Sequence, residues 1–164
     1  MDPKRVGLLA GLGLIISLLG FIPGAGPVIS LIGDVLYLTG VYYISKHADK
    51  SVFTYILIST ILSFVALIIS RFSHLASVTA SFVLGIGGIF GLIVTLVLGI
   101  IGAILIGKAY SLLGASLNMP IFEKAGKMYK IGGYTLIILI GLVFIVIGFV
   151  MSIVGFFQMP EKRY

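Results

Sequence analysis

The chain alternates between long apolar stretches and short polar segments that carry almost all of its charge. Five uninterrupted apolar runs cover residues 6–22, 28–45, 52–70, 78–107 and 131–157. Crossing the hydrocarbon core of a bilayer, about 30 Å thick, takes roughly 20 helical residues, so each run is long enough for a membrane span, the last two with tilt or protrusion. The pattern predicts an all-α fold: one integral membrane helix bundle over 1–164, multi-pass, with five spans preferred.

The composition excludes an ordinary water-soluble domain. Hydrophobic residues make up 60% of the chain and charged residues 10%, against about 25% charged in a typical soluble protein. Only Asp34 places a charge inside an apolar run. The net charge is +6, and the basic residues responsible for it flank the apolar runs. The expected anionic partner is therefore membrane lipid and not nucleic acid. We therefore expect a multi-pass protein of the cell membrane.

The first two runs are joined by a short segment that breaks helices. Residues 23–27 read PGAGP, and proline and glycine at these places stop one helix and prepare the start of the next. A single helix over residues 6–45 would be about 60 Å long, so the chain must reverse here. The resulting hairpin either crosses the bilayer fully or re-enters as a shallower pair, and both alternatives return the chain to its starting side.

Basic residues predict the orientation of the bundle. With five spans, one side carries most of them: Lys4, Arg5, Lys46, Lys50, Lys108, Lys124, Lys127 and Lys130. The other side carries Arg71, Lys162 and Arg163. The positive-inside rule then places the N-terminus in the cytoplasm and the C-terminus outside.

Small residues recur every seven positions within the runs. Glycines of this pattern are Gly33 and Gly40, and Gly141, Gly148 and Gly155. The fourth run has Ser81, Gly88, Thr95, Gly102 and, just beyond its end, Ala109 at the same interval. Small residues on one stripe of a helix let two backbones approach closely where lipid gives no hydrophobic drive for association. We expect these stripes to be helix-packing positions, mainly within the chain and alternatively between copies in a homo-oligomer.

Asp34 is the one candidate for chemistry inside the membrane. Ser30, Asp34 and Tyr37 share one polar face of the second run, and Arg71 and His74 in the following loop are the plausible counter-charges. A charged group at this depth is costly and by default a functional candidate. Two hypotheses follow. Asp34 binds or relays a proton or cation, or it is a protonated or hydrogen-bonded carboxylic acid that fixes the helix register. The structural hypothesis is favoured because no second carboxylate shares its layer.

The segment between the last two runs has an amphipathic pattern. Within the predicted cytoplasmic loop 108–130, lysines at Lys124, Lys127 and Lys130 recur every three residues, while Phe122 and Tyr129 lie on an apolar side. The pattern predicts a short interfacial helix over 121–130 whose lysines face lipid headgroups. Ordinary positive-inside flanking explains the same lysines without any specific lipid, and this interpretation is preferred.

No pattern of a known catalytic or metal site occurs. The chain has no cysteine and none of the usual zinc, nucleophile or phosphate-loop motifs, so we expect no metal, no cofactor and no enzyme activity. The preferred function is that of a structural, scaffold or assembly subunit that acts through helix packing. Its expected partners are further copies of the chain in a homo-oligomer, or other subunits of a larger membrane assembly. The alternative is a small ion- or proton-linked channel or transporter that uses Asp34.

Several short motifs resemble those of a small archaeal and bacterial family of membrane proteins, the domain of unknown function nine hundred and ninety-six. They are Ile32-Gly33, residues 51–53 (SVF), residues 120–126 (PIFEKAG), Ile131-Gly132 and Gly141. The resemblance covers nearly the whole chain. It implies a multi-pass architecture and an archaeal or thermophilic source, and it brings no assigned activity, cofactor or catalytic residue.

Overall fold

The structure is a computed structural model that describes residues 2–22, 25–78 and 82–160, with side chains for these residues except 21, 71–78 and 82–87. Throughout this part of the chain the fold is all-α, as predicted. The six α-helices are α1 Pro3–Leu18, α2 Gly26–Ser45, α3 Lys50–Val78, α4 Phe82–Leu117, α5 Pro120–Thr135 and α6 Ile140–Phe157. Short 3-10 turns follow α1 at Leu19–Phe21 and α5 at Leu136–Ile138.

The helices pack in the order of the sequence. Each helix contacts the next one along the chain, and α1 also packs against α6, which closes the six helices into a ring. The start of α1, the end of α6 and the connecting residues 46–49 and 118–119 lie at one end of the bundle, which is called the basic end below. The pairs α1/α2, α3/α4 and α5/α6 therefore form three helical hairpins that extend away from this end.

Local sequence signals set several helix boundaries. The Asp2 carboxylate accepts a hydrogen bond from the Lys4 N–H (3.2 Å) and Pro3 opens α1, an arrangement that satisfies a free N–H and pre-sets the first helical residue. Pro120 opens α5 in the same way. Asn118, which follows the last residue of α4, has a positive φ of 52°, a conformation that asparagine tolerates and that ends the helix.

The hydrophobic core lies at the basic end. Its largest fully buried side chains are Tyr110, Phe122, Phe156, Ile56, Leu113, Val41 and Val52. Toward the hairpin turns, in contrast, most large apolar side chains face outward. This distribution is the reverse of a soluble protein and places the hairpins in lipid.

Within the part of the chain that the structure describes, four helices are long and apolar enough to cross a membrane: α2, residues 50–70 of α3, residues 88–117 of α4, and α6. The structure therefore fits an integral membrane protein. The first predicted span, 6–22, forms α1, which at 16 residues is shorter than a span usually needs.

Two predicted boundaries differ from the structure. The helix expected to end at residue 107 continues to Leu117, because Ala109, Tyr110 and Leu113 keep one buried face beyond the exposed Lys108. The run 131–157, expected as one span, is divided: residues 131–135 belong to α5, and the chain reverses at Leu139, whose φ is 61°. Apolar residues throughout this turn hid the reversal from the hydropathy pattern.

The end of α6 lies at the opposite end of the bundle from the one that the five-span prediction gave it, and residues 161–164 lie outside the described residues. A Cβ on Gly7 of α1 would lie 2.6 Å from the Phe156 carbonyl oxygen and 2.8 Å from the Met159 sulfur. The end of α6 therefore lies beside the start of α1, at the basic end. The extra reversal at Leu139 gives an even number of helices, which returns the chain to the side from which it started.

Candidate functional site

The Asp34 carboxylate lies in the interface of the first hairpin. It is half-buried and accepts a hydrogen bond from the Ser17 hydroxyl of α1 at 2.7 Å. The same hydroxyl lies 3.5 Å from the Ser30 carbonyl oxygen, one turn earlier on α2. Ser17 thus joins the two positions of the predicted polar face, and the carboxylate has a partner of its own on the neighbouring helix.

Glycines make this contact possible. A Cβ on Gly33 would collide with the Ser17 backbone nitrogen and lie 2.6 Å from the Ser17 hydroxyl oxygen. A Cβ on Gly13 would likewise collide with the Tyr37 backbone nitrogen. The backbones of α1 and α2 therefore touch at these positions, which is the role that small residues play in membrane helix pairs.

The predicted counter-charges are not placed by the structure. Arg71 and His74 belong to α3, which extends to Val78, but their side chains lie outside the described residues. The backbone at these positions is helical, where the sequence suggested a loop.

Tyr37, the third member of the predicted polar face, belongs to a buried aromatic cluster. Its hydroxyl lies 2.9 Å from the Tyr110 hydroxyl, which links α2 to α4. We call this group the aromatic cluster, and its five members are Tyr37, Tyr110, Tyr129, Phe122 and Phe156. They come from α2, α4, α5 and α6, and each of them is at most 7% exposed.

The rings of the aromatic cluster pack on one another in specific geometries. Tyr110 is sandwiched between Phe122 and Tyr129, with stacked rings at centroid distances of 5.9 and 5.5 Å. Phe156 meets Tyr37, Tyr110 and Phe122 edge-on at 5.1 to 6.1 Å. Such pairs add about 0.5–1.5 kcal/mol each beyond their buried area. The cluster therefore holds four helices at the basic end.

The polar groups within the described interior have partners. Ser59 donates to the Gly102 carbonyl at 2.9 Å and Ser152 to the Gly148 carbonyl at 2.8 Å. Among the described side chains, no buried nitrogen or oxygen lacks a hydrogen bond. The described polar side chains in and around the aromatic cluster thus belong to a hydrogen-bonded structural core.

The small residues of the predicted stripes contact different kinds of neighbour in the structure. Gly40 faces Ala10, Gly102 lies near Ser59, and Gly155 faces the Phe122 ring. Gly148 lies beside Tyr129, and a Cβ on Gly141 would collide with the backbone of Gly132 and Leu136. At Gly88, no heavy atom of the described residues lies within 4 Å of the Cβ position.

The predicted amphipathic segment forms α5, with both of its faces as the pattern indicates. Phe122, Ala125, Gly126 and Tyr129 are buried, and Lys124 and Lys127 are exposed, with Lys130 half-buried. The apolar side packs between α4 and α6, where the sequence suggested an isolated helix on the membrane surface.

A cavity of about 250 Å³ lies at the basic end, away from Asp34. Its walls come from the start of α1, the end of α2, the turn after α4 and the segment after α6, and they include Pro3, Tyr43, His47, Asn118 and Met159. The lining is mainly apolar. Among the described residues, no group of three histidine, cysteine or acidic side chains could hold a metal ion.

The loop carboxylate Asp49 has a local structural role. It accepts hydrogen bonds from the Ser51 N–H (2.8 Å) and the Ser51 hydroxyl (2.6 Å) at the start of α3. The hydrogen bond from the Ser51 side chain, followed by that from its N–H, lowers the pKa of Asp49.

The all-α fold and its four long apolar helices fit an integral membrane helix bundle. The family model described as Protein of unknown function (DUF996) matches residues 29–150, about three quarters of the chain. The protein therefore belongs to the DUF996 family, and the resemblance drawn from its motifs is confirmed. No curated protein and no solved structure matches the chain.

Sequence reasoning missed most of the aromatic cluster. It singled out Tyr37 as part of a polar face, and it placed Phe122 and Tyr129 on an apolar side without a partner. Tyr110 was not singled out, although it follows directly on Ala109 of the small-residue stripe. The spacing of Phe122 and Tyr129, seven residues apart, was a signal that both rings share one face of a helix.

Proposed function

We propose that this protein is a non-enzymatic protein of the cell membrane that acts through helix packing, as a scaffold or as a subunit of a larger assembly. The observation that carries the proposal is the contrast between interior and surface. The described polar groups inside are bonded to one another, whereas large apolar side chains cover the outside of the hairpins. The interior leaves little chemistry to perform, so the outer surface is the part available for interactions.

The proposed orientation places the basic end in the cytoplasm. Eight described basic residues lie on segments that lead to or from this end: Lys4, Arg5, Lys46, Lys50, Lys108, Lys124, Lys127 and Lys130. The positive-inside rule favours the cytoplasmic side for such a cluster. Because α6 ends at the basic end, the proposed orientation also puts the end of α6 in the cytoplasm.

Oligomer formation through the lipid-facing surface can be tested by cysteine cross-linking, because the chain has no native cysteine. Single variants Leu31→Cys, Leu92→Cys and Val143→Cys sample one exposed face of each hairpin, and Ala109→Cys is a fully buried control. We expect a specific cross-linked product in native membranes at one face and none at the control. A product at no exposed position would contradict an assembly role through these three faces.

The alternative function is an ion- or proton-linked channel or transporter. The observation in its favour is the half-buried Asp34 carboxylate within α2, because ionisable groups within the membrane often mark transport pathways. Against it stands the hydrogen bond from Ser17, which gives the carboxylate a structural partner.

Flux measurements distinguish the two functions. The purified protein in liposomes is compared with Asp34→Asn and with Asp49→Asn, a matched change outside the spans. We expect proton, sodium and potassium fluxes equal to those of empty liposomes for all three proteins. A flux that the wild type and Asp49→Asn share and Asp34→Asn loses would overturn the scaffold proposal in favour of transport.

A further inference from the structure

The turn between α5 and α6 is unusual for a helix connection because it is apolar and exposed. Residues 136–140 read LIILI, and Ile137, Ile138, Leu139 and Ile140 are between 56% and 79% exposed. Turns in contact with water are rich in glycine, asparagine, aspartate and serine. Four adjacent large apolar side chains that face outward indicate an apolar environment around this turn.

The turn lies beside the middle of the longest helix. The Leu136 Cδ2 atom is 3.5 Å from the position that a Cβ on Gly99 would occupy. Gly99 is close to the centre of α4, which runs from Phe82 to Leu117. The hairpin of α5 and α6 therefore ends halfway along α4, while α4 continues beyond it.

The surface of α4 shows where this midpoint lies in the bilayer. Lys108 is exposed and stands nine residues from Gly99, or about 14 Å along the helix. In the other direction α4 continues to Phe82 without a charged residue. We take the exposed Lys108 as the edge of the hydrocarbon core, which is about 30 Å thick, so the turn, about 14 Å further in, lies near the centre of the core.

We infer that α5 and α6 form a re-entrant hairpin that enters the bilayer from the basic end and stops near the midplane, where residues 137–140 contact lipid acyl chains. Although α6 is long enough to cross a membrane, its last turns belong to the core at the basic end and not to a second interface. This inference depends on the chain being embedded in lipid and not on the proposed scaffold role.

The lysines of α5 fit this placement. Lys124 and Lys127 are exposed near the start of α5, and Lys130 is six residues before Leu136, or about 9 Å along the axis. A lysine side chain at this depth can extend its ammonium toward the headgroups while its methylene groups stay in the apolar region. Beyond Lys130 the hairpin carries no charged residue through to Phe157.

The reversal keeps part of its backbone hydrogen bonding. The Leu139 N–H donates to the Leu136 carbonyl at 3.0 Å, and the Leu142 N–H donates to the Leu139 carbonyl at 3.1 Å. Because unpaired backbone groups are costly in lipid, a reversal there must keep such hydrogen bonds. Leu139 adopts a φ of 61°, which glycine would adopt without strain, so the position keeps an apolar side chain despite an unfavourable backbone conformation.

Tryptophan fluorescence can measure the depth of the turn, because the chain has no native tryptophan. We would reconstitute Ile138→Trp in vesicles of phosphatidylcholine and phosphatidylglycerol that contain lipids with a nitroxide near the headgroup, at mid-chain or near the chain end. We expect a blue-shifted emission, loss of most of the fluorescence to the deep nitroxides and no quenching by aqueous iodide. Gln158→Trp, exposed at the basic end, is the matched control and should show the opposite pattern.

Three outcomes would overturn the inference. Strong quenching by iodide or by the headgroup nitroxide would place the turn at an interface, either because the hairpin lies on the surface or because it crosses completely. Absence of quenching by every nitroxide would show that protein, such as a second copy, covers the turn. Ile140→Trp repeats the measurement two residues further along the chain. Ile137→Cys adds an independent test, because a membrane-impermeant maleimide should label this cysteine only after detergent is added.

Discussion

The basic end and the hairpin turns of this molecule are held together in different ways. At the basic end, large side chains from four helices interlock in the aromatic cluster, and Phe122 and Phe156 are fully buried. Toward the turns, side chains of similar size, such as Phe90, are mostly exposed. Contacts there depend on glycines such as Gly33, which bring two backbones of one hairpin together, whereas the basic end combines similar glycine contacts, as at Gly126, with large buried side chains.

The difference reflects the solvent around each region. Apolar side chains gain little from leaving lipid, so helix pairs in a bilayer are stabilised by close backbone packing and by hydrogen bonds. Near the membrane surface, where water reaches the chain, burial of large apolar groups again stabilises the fold. One chain thus uses two packing modes along its long axis, and the variants below separate them.

The largest effect is expected from a cavity in the aromatic cluster. Phe122→Ala removes a ring that touches Tyr110, Phe156 and Gly155, and we expect it to lower the free energy of unfolding by about 3–5 kcal/mol. Phe90→Ala is the control, because Phe90 is 68% exposed, and should change the free energy by less than about 0.5 kcal/mol. Unfolding in mixed micelles of increasing denaturing detergent measures both. Equal losses for the two variants would remove the distinction between the regions.

A methyl group added between two helix backbones should have a smaller effect. Gly33→Ala places a Cβ against the Ser17 backbone, and we expect a loss of about 1–3 kcal/mol from overpacking. Gly99→Ala is the matched control, because its nearest neighbour, Leu136, lies at an ordinary contact distance of 3.5 Å. It should stabilise α4 by about 0.5–1 kcal/mol. Thermal unfolding in nanodiscs should therefore shift in opposite directions, and a stabilising Gly33→Ala would contradict the close backbone contact.

The hydroxyl pair within the aromatic cluster should contribute less. Tyr37→Phe removes one partner of the 2.9 Å hydrogen bond to Tyr110, at an expected cost of about 1 kcal/mol. Tyr37→Phe combined with Tyr110→Phe should cost less than the sum of the single changes, because neither hydroxyl is then left unpaired. Strict additivity in this cycle would show that the two hydroxyls do not interact.

The smallest effect concerns Asp49, a partly exposed carboxylate that caps the start of α3. Because its pKa is lower in the folded protein, it stabilises the start of α3 above the ordinary aspartate pKa, and this contribution is lost as the pH falls through the lowered value. Asp49→Asn should remove that part of the pH dependence while it keeps an acceptor for Ser51. Unfolding of both proteins between neutral and strongly acidic pH checks the sign, and identical pH profiles would exclude a role for the carboxylate charge.

Patterns that depend on neighbours along the chain were predictable. The apolar runs gave the all-α class, and the spacing of Phe122, Lys124 and Lys127 gave the two faces of α5. The hairpin at residues 23–27 follows from its prolines and glycines, and α2 indeed starts at Gly26. In each case the physical cause is local: a helix period, a missing N–H or a fixed φ.

Features that depend on distant parts of the chain were not predictable. The reversal at Leu139 carries no turn residue, because its surroundings tolerate leucine, isoleucine and a 3-10 turn where water would favour polar residues. Tyr37 and Tyr110 are 73 positions apart, and no spacing rule relates them. The end of α6 was predicted on the wrong side for the same reason, because one undetected reversal changes the side of every later part of the chain.

The amino-acid sequence by itself determined that this protein is helical, that lipid surrounds most of it and that its basic residues gather toward one end, since these properties follow from composition and from periodicity over a few turns. Only the tertiary structure decided where each helix begins and ends beside its neighbours, which side chains meet in the aromatic cluster, and that Asp34 accepts a hydrogen bond from Ser17. Those outcomes depend on how helices far apart in the chain align, and helix alignment in lipid is set by backbone contacts that glycine permits but does not specify.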